Sequence, residues 1–365
     1  RDVSVVENLL GPKKAAFMKD IREEYGRVRE QYANKSARKV YLPLSQARRN
    51  KLKIDWATYQ PPAPVHLGLS RFENVDINDL MDYIDWTPFF QAWEMRGKYP
   101  NILTDPKFGK EAQKLFDDAQ VMLKKMASDE TLRANGVVGM WPANSTDRDQ
   151  IVIYRDESRS EEIGRVNCMR QQLQKAPGQP NLSLSDFIAP VDSGLQDYVG
   201  GFAVTAGLGL DKIVTDFEKD HDQYNVILVK ALADRLAEAF AEYLHAQVRR
   251  KIWAYQPDES LVNEDLIREK YRGIRPAPGY PACPDHTEKP FLFELLNATE
   301  NTGISLTENL AMYPTAAVCG MYFALPESKY FGVGRVGKDQ VNDLAARKNI
   351  SFDKMEKWLS SSLNY

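Results

Sequence analysis

The residues best suited to chemistry lie in one proline-rich stretch, RPAPGYPACPDH at 275–286. Proline fixes φ and lacks a backbone donor, so this stretch cannot continue a helix or a central strand, and it predicts a rigid loop. A rigid loop that carries Arg275 and Tyr280 can bind a small anionic group with little loss of conformational entropy. A stiffened surface connector is the alternative, and composition alone leaves both interpretations open.

A second candidate is Asp85, which begins the sequence DWTPFF at 85–90. Its default role is to cap the helix that starts there, because an aspartate side chain accepts hydrogen bonds from the first backbone N–H groups of a helix. A carboxylate among aromatic rings also suits an ammonium or sulfonium group, through charge pairing and cation–π attraction.

Two further sets of residues have the right chemistry for a ligand. Asp234, Glu238 and Glu242 are spaced i, i+4, i+8 and share one face of a predicted helix, either as a solvated face or as an acidic wall near a cation. Tyr330 and Phe331 open a predicted strand, where neighbouring side chains point to opposite faces. One of the pair is therefore expected to lie against a ligand ring.

Several common kinds of site are disfavoured. The four histidines form no HExxH motif and no pair at metal-ligand spacing, so no metal site is expected. GxSxG, P-loop and kinase motifs do not occur, which argues against hydrolases and phosphotransferases. The sequence AGLGLD at 206–211 superficially resembles a nucleotide-binding turn, but the third glycine and the acidic partner are missing, which favours a plain turn.

Composition limits the remaining classes. The chain has 365 residues, 43% of them hydrophobic, and a net charge of −3, which argues against nucleic acid as the main partner. No stretch approaches the roughly 20 apolar residues that span a membrane. Three widely spaced cysteines indicate a reducing, cytoplasmic location, and the sequence from Arg1 contains no signal-peptide pattern.

The pattern of elements predicts the fold class. Helices are predicted at 13–34, 77–84, 87–97, 108–127, 222–254, 338–347 and 352–361, and strands at 137–141, 151–154, 199–205, 316–325 and 330–336. Helices and strands are irregularly interleaved, without a βαβ repeat. The sequence therefore predicts an α+β domain with a mainly antiparallel, twisted sheet flanked by helices.

Three regions are predicted along the chain. Residues 1–37 contain a charged linker helix that is too polar to form its own core. Residues 38–68 are proline-containing and predict an extended linker. A basic stretch at 35–53 has seven Lys and Arg and no acidic residue, which suits either an acidic partner or a solvated linker. Residues 69–365 are predicted to form a single large domain.

Several long motifs resemble the C-terminal activation, or reactivation, domain of cobalamin-dependent methionine synthase. They are RPAPGYPACPDHTEK at 275–289, YIDWTPFF at 83–90, the helix from Leu228 to His245, and LTENLAM at 306–312. The resemblance covers residues 69–365, while residues 1–37 resemble the end of the preceding cobalamin module and the helix leaving it. It implies that the chain is part of a longer polypeptide.

In that family the domain binds S-adenosylmethionine, and the resemblance implies roles for residues of this chain. Arg275, Gly279 and Tyr280 match the family's ArgxxxGlyTyr motif, with Arg275 on the methionine carboxylate. The planar fork of arginine suits a carboxylate because it can form two parallel hydrogen bonds. The backbone of Ala277 is implied to lie along the ligand, and Asp85 to meet its α-amino group.

The resemblance also implies an aromatic and an acidic side to the site. Tyr330 and Phe331 match an aromatic pair near the nucleoside. Some family members have two tyrosines there, and Phe331 lacks the second hydroxyl. Glu238 and Glu269 match acidic positions that face the ligand or the cobalamin. No catalytic acid or base and no metal ligand is implied in this domain.

The implied reaction is reductive reactivation of the cofactor. A flavodoxin-type flavoprotein supplies an electron to cob(II)alamin, held by the neighbouring module of the same polypeptide, and the sulfonium methyl is transferred to cobalt to regenerate methylcobalamin. Both reactants are already activated, so the domain contributes proximity and orientation. The parent enzyme transfers methyl from 5-methyltetrahydrofolate to homocysteine, and its zinc belongs to the homocysteine module. The isolated chain is therefore not expected to turn over alone.

Two rival hypotheses stay open. In the first, the domain caps cobalamin and recruits the flavoprotein through residues 35–53 without itself binding S-adenosylmethionine. In the second, the chain is a self-contained methyltransferase that uses the turn from Gly207 to Gly209.

Overall fold

A computed structural model describes residues 5, 8–12, 14–36, 39–129 and 131–365. Lys13 and the predicted boundary between residues 37 and 38 lie outside them. The main sheet of the described chain is antiparallel, and its strands are β1 Gly68–Phe72, β2 Arg133–Ser145, β3 Gln150–Tyr154, β4 Glu162–Asn167, β5 Asp197–Leu208 and β8 Ala317–Tyr322. Their order is β4-β3-β2-β5-β8, and β1 pairs with the part of β2 that β3 leaves free. A small antiparallel pair consists of β6 Ser305–Leu306 and β7 Met312–Tyr313.

Helices cover both faces of the sheet. In the described residues they are α1 Lys14–Ser36, α2 Leu44–Arg49, α3 Ile77–Met81, α4 Trp86–Ala92, α5 Gly109–Ser128, α6 Leu210–Lys219, α7 Gln223–Gln247, α8 Asn263–Ile267, α9 Lys289–Leu296, α10 Ala298–Thr302, α11 Lys338–Lys348 and α12 Phe352–Trp358. None of these helices is both long and apolar enough to cross a membrane. The predicted α+β class is confirmed.

Two hydrophobic cores explain why the central strands are apolar along their whole length. Successive side chains of a strand point to opposite faces. Val138 and Phe202 join the core under α7, whereas Val137 and Trp141 join the core under α9. A strand that is buried on both faces needs apolar residues at nearly every position, as β5 has.

The strand predicted at 330–336 is wrong, because these residues form no strand. Gly334 adopts a φ of +74°, which interrupts an extended chain. The backbone N–H of Val333 donates to the Pro281 carbonyl at 2.8 Å, and that of Val336 donates to the Ser362 carbonyl at 2.8 Å. These residues therefore bridge the proline-rich loop and the C terminus instead of extending the sheet.

The long helix predicted at 222–254 has a different end. Helix α7 stops at Gln247 and continues as a wider π-helical turn, Val248–Ile252. The backbone of Ala254, at a φ of +59°, then ends the helical path. The π-helical turn leaves Arg249 fully buried beside the site described below.

Residues 39–66 pack along the sheet domain. Within them Leu44 and Ala47 of α2 are buried. The N–H of Leu42 donates to the carbonyl of Gln172 at 2.7 Å. Arg48 forms ion pairs with Asp149 at 2.8 Å and Asp343 at 2.7 Å. The predicted extended linker thus includes a short helix and is held by contacts far away in the sequence, while the domain boundaries themselves stay a prediction.

Candidate ligand-binding site

The proline-rich loop lies beside the end of β8. Ile274 and Phe323 exchange two backbone hydrogen bonds of 3.1 Å, and the Pro276 carbonyl accepts from the N–H of Met321 at 2.9 Å. Pro276 and Pro278 have no N–H, so the pairing cannot continue as a strand ladder. The chain leaves the sheet at this point as an irregular loop, in agreement with the sequence prediction.

Gly279 makes the sharp turn of the loop. Its φ is +98°, and a Cβ atom there would lie 2.2 Å from Cε1 of His286. Its N–H donates to the Cys283 carbonyl at 2.7 Å, while the N–H of Tyr280 donates to the Ala277 carbonyl at 3.1 Å. Gly279 therefore shapes the backbone that directs Tyr280, and it lines neither of the cavities below.

Two adjoining cavities lie between this loop and α7. The larger, of about 500 Å³, is lined by Phe202, Glu238, Glu269, Arg275, Pro276, Ala277, Tyr280, Pro281, Ala282, Val318, Tyr330 and Phe331. The smaller, of about 250 Å³, is lined by Tyr83, Asp85, Pro88, Arg235, Glu238, Ala239, Glu242, Leu266, Ile267, Glu269, Tyr271 and Arg275. The larger cavity by itself has the size of a small-molecule site, which is roughly 300–1,000 Å³. Glu238, Glu269 and Arg275 line both cavities, so Arg275 stands between them.

Arg275 is held by three side chains. Its Nη2 pairs with Oε2 of Glu242 at 2.7 Å. Its Nη1 donates to the Tyr271 hydroxyl at 2.9 Å and lies 3.3 Å from Nδ1 of His245. Burial, the largest single effect, lowers the pKa of Arg275, but the Glu242 carboxylate together with Tyr271, Tyr330 and Tyr322 outweighs it, and the net pKa is raised. The guanidinium is therefore a permanent positive charge in a largely enclosed place.

The sequence analysis included Glu242 only as one member of an acidic helix face and did not predict its pairing with Arg275. The prediction placed Asp234, Glu238 and Glu242 on one helix face, and a solvated face was one interpretation. That interpretation is wrong for Glu242, whose side chain is only 9% exposed. Asp234 is exposed and Glu238 is half-buried, so the acidic face becomes more buried along α7. The i, i+4, i+8 spacing was the available signal.

Asp85 caps a helix and also lines the smaller cavity. Its Oδ1 accepts from the N–H of Thr87 at 2.9 Å, which confirms the N-cap of α4. The same side chain lines the smaller cavity. One carboxylate can thus cap a helix and still present negative charge to a ligand.

The smaller cavity has more acidic than basic groups. Its ionisable lining consists of four carboxylates and two guanidinium groups, from Asp85, Glu238, Glu242, Glu269, Arg235 and Arg275. Burial raises the pKa of Glu269, and the negative charge of Glu242 adds to this against the opposing effect of Arg275. Such a lining favours a ligand with net positive charge that also offers one anionic group to Arg275.

Aromatic rings form part of the wall of the larger cavity. Tyr330 and Phe331 both line it, because the segment is not a strand and its neighbouring side chains need not point to opposite faces. The Tyr330 hydroxyl accepts from the N–H of Arg275 at 3.0 Å. Phe331 packs against Phe187 with ring centroids 6.1 Å apart. Tyr280 and Tyr330 remain 56% and 37% exposed, as expected for rings at the mouth of a cavity.

A family model for the activation domain of vitamin B12-dependent methionine synthase matches residues 76–349. The chain belongs to this family. The predicted resemblance is therefore confirmed. This activation domain is also similar to a solved structure, the crystal structure of the MetH reactivation domain bound to AdoHcy. The TM-score is 0.87 at 52% sequence identity, and the match covers 89% of this chain and 99% of that one.

The glycine turn of the activation domain is a packed turn, as predicted. Gly209 has a φ of +88° and is the N-cap of α6. A Cβ atom at Gly209 would lie 2.0 Å from the Thr131 carbonyl oxygen, and one at Gly207 would lie 2.7 Å from Cβ of Pro314. Neither glycine lines the two cavities. The geometry gives no support to a methyltransferase site at this turn.

Replacing Gly209 with alanine is expected to reduce the free energy of unfolding by about 2–4 kcal/mol, since a strained φ and a backbone clash add together. Gly178 is a matched control, because its φ is +82° but nothing lies within 4 Å of its Cβ position. Gly178→Ala should cost only about 1 kcal/mol. Urea denaturation measures both. Equal losses for the two variants would contradict the clash at Gly209.

Residues of the basic stretch differ in their exposure, and His245 lies in the protein interior. Arg48 is used in ion pairs, whereas Arg49, Lys51 and Lys53 are exposed. Among the described residues, no group of three or more His, Cys, Asp or Glu is arranged to hold a metal ion. His245 is fully buried, with its ring stacked on Tyr322 at 5.1 Å.

Stability below neutral pH should depend on His245. Burial, together with the charges of Arg249 and Arg275, holds its pKa well below 6.5. The unfolded chain therefore binds a proton below pH 6.5 that the folded chain does not, and stability falls as pH falls. Between pH 7 and pH 5, the free energy of unfolding of the natural chain should fall by about 2 kcal/mol more than that of a His245→Gln variant.

Denaturation curves of both proteins across this pH range test the prediction. The buried Asp197 has the opposite effect on stability. Burial raises its pKa to about 7, so its contribution to the free energy of unfolding falls as pH rises from about 4 to 7. Asp197 is present in both proteins, so its contribution cancels in their difference. Parallel pH profiles for the two proteins would show that His245 does not stay neutral.

Proposed function

We propose that this activation domain binds S-adenosylmethionine in the two adjoining cavities and presents its methyl group for reductive methylation of cobalamin. The observation that carries the proposal is the position of Arg275, shared by both cavities, with carboxylates on one side and aromatic rings on the other. A ligand with an anionic group, two cationic groups and an aromatic base matches this arrangement. Binding of AdoHcy by the similar MetH reactivation domain supports it.

Each predicted site residue has a role in this proposal. The guanidinium of Arg275 binds the methionine carboxylate in a charge-assisted pair. Asp85 accepts from the α-amino group at the smaller cavity. Glu238 and Glu269 surround the region between the cavities, where their negative charge favours the sulfonium.

The nucleoside occupies the larger cavity. Tyr280, Tyr330 and Phe331 provide rings for the adenine to pack against. The backbone of Ala277 lies along the ligand, and Gly279 allows the turn that places Tyr280. Because a sulfonium is already a good methyl donor, these residues orient the ligand and need not transfer a proton.

Cobalamin is supplied by the neighbouring module of the same polypeptide, and its cobalt, once reduced by a flavodoxin-type donor, takes the methyl group. The exposed ends of the cavities leave the methyl group accessible from outside the domain. The cytoplasm supplies both the donor and the ligand. The isolated chain binds its ligand but does not complete a catalytic cycle.

Titration calorimetry of the full chain with S-adenosylmethionine and with S-adenosylhomocysteine tests the binding step. Saturable binding of both at one site per chain is the expected result. A chain that is folded by circular dichroism but binds neither nucleoside would refute the proposal. Transfer of a labelled methyl group to cobalamin, with the cobalamin module and a reductant added, tests the second step.

A docking function is the second candidate, and the exposed side chains of Arg49, Lys51 and Lys53 favour it. In that case the domain recruits an acidic flavoprotein and covers cobalamin without binding S-adenosylmethionine itself. Flavodoxin association that persists in a chain with no affinity for the nucleoside would support this function over the first.

A further inference from the structure

Glu242, His245 and Tyr271 surround the guanidinium of Arg275, and we refer to these three residues as the Arg275 cradle. They hold it at 2.7 Å, 3.3 Å and 2.9 Å respectively. An arginine N–H only donates, so Nδ1 of the neutral His245 must accept, and its proton is on Nε2. The cradle is therefore made of three acceptors directed at one donor.

The number of donors indicates what the cradle leaves for a ligand. A guanidinium has five N–H groups. The cradle accepts two of these N–H groups from Nη1 and one from Nη2. The remaining two N–H groups, one on Nη2 and one on Nε, have no protein partner among the described residues. Two N–H groups are what a carboxylate needs for a bidentate pair.

Glu242 is also held by a second guanidinium, that of Arg249. Its Oε1 lies 3.8 Å from Nη1 of Arg249, and both atoms are buried without a hydrogen-bond partner. Arg249 is anchored in turn by Glu259 through hydrogen bonds of 2.7 Å and 2.8 Å. A carboxylate placed between two guanidinium groups is not free to leave when a ligand arrives.

Loss of the Glu242 charge would have a specific consequence for Arg275. Arg249 and Arg275 both lie near the ring of Tyr271, at 4.3 Å and 5.8 Å from its centroid. Without the carboxylate between them, the two guanidinium groups repel each other. Arg275 would then turn toward Glu238 and Glu269, which line the same cavities.

From these contacts we infer that Glu242 is a positioning residue that holds Arg275 in the orientation that accepts an α-amino acid carboxylate. It acts through Arg275 and does not touch the ligand carboxylate. The inference rests on the proposed function, because it names the group that binds at Arg275. It also opposes the simpler idea that Glu242 competes with the ligand for Arg275.

A Glu242→Gln variant separates positioning from general stability when two ligands are compared. Its affinity for S-adenosylmethionine should fall by about 10- to 30-fold, measured by calorimetry. Its affinity for 5′-methylthioadenosine, which lacks the amino-acid end, should stay within about 2-fold of the natural chain. Asp343→Asn is the matched control, because Asp343 also pairs with arginines, namely Arg48, Arg148 and Arg347, but lines neither cavity. It should change neither affinity.

If Glu242→Gln does not fold, Tyr271→Phe replaces it, since it removes one cradle acceptor and keeps the ring. The same ligand selectivity, at about 3- to 5-fold, is then expected. Unchanged or tighter S-adenosylmethionine binding by the Glu242 variant would overturn the inference in favour of competition. Equal losses for both ligands would overturn it in favour of a structural role. If the natural chain binds neither nucleoside, the proposed function fails, and the inference fails with it.

Discussion

Replacing Arg275 with alanine is expected to weaken S-adenosylmethionine binding by about 2–4 kcal/mol, or roughly 30- to 900-fold. The change removes the charged partner of the methionine carboxylate from a place that is only 19% exposed. It also leaves the buried Glu242 with Arg249 as its nearest cation, at 3.8 Å. Calorimetry at a temperature where the variant is fully folded measures the loss.

Arg272→Ala is the matched control for this result. Arg272 lies three residues before Arg275 and also has internal partners, since it donates to the Ala324 carbonyl and to the Tyr59 hydroxyl at 2.8 Å each. It lines neither cavity, so this variant should lose stability and keep its affinity. Affinity that survives in Arg275→Ala would exclude Arg275 as the carboxylate partner, whatever the control shows.

The second large effect concerns the buried ion pairs that join distant parts of the chain. Asp149 is 1% exposed and accepts from Arg170 at 2.5 Å and 2.8 Å and from Arg48 at 2.8 Å. Asp149→Asn should lower the free energy of unfolding by about 3–5 kcal/mol, because it removes one carboxylate from a buried cluster and leaves Arg170 with Asp186 and Arg48 with Asp343 as their remaining acidic partners. Asparagine is the right replacement, since it tolerates the φ of +59° at this position.

Chemical denaturation measures this loss, and an exposed ion pair supplies the comparison. Glu161 pairs with Arg155 at the surface, where the two side chains are 55% and 61% exposed. Glu161→Gln should leave the denaturation midpoint essentially unchanged, because water and salt screen an exposed ion pair. Asp149→Asn should also make residues 39–66 more sensitive to protease, because Arg48 ties this segment to the body. A loss of less than about 1 kcal/mol for Asp149→Asn would mean that water solvates the guanidinium groups of Arg48 and Arg170 in place of the carboxylate.

Local chemistry made much of the site predictable. Arg275 and Tyr280 were selected because prolines and Gly279 force a rigid turn, a property of the chain itself that tertiary contacts do not change. The cap at Asp85 followed from its place before an apolar helix, and α5, at Gly109–Ser128, followed from its apolar period. Each of these features depends on residues that are neighbours in sequence.

Long-range pairing explains where the predictions were wrong. Residues 330–336 have the composition of a strand, but the backbone of Val333 bonds to Pro281 of the proline-rich loop. Glu242 shares its helical spacing with the exposed Asp234, and its burial depends on Arg275, which is 33 residues further along the chain. No local pattern encodes such partners.

The sequence alone determined the α+β class, the family and the rigid loop, and it named several of the residues that line the two cavities, because periodicity, turn chemistry and motif order are local properties. Only the tertiary structure placed Arg275 between two cavities and showed that Glu242, His245 and Tyr271 hold it. The physical reason is that the burial and pairing of a charge depend on which distant segments meet around it. The same sequence spacing can therefore produce a solvated carboxylate at Asp234 and a buried, paired one at Glu242.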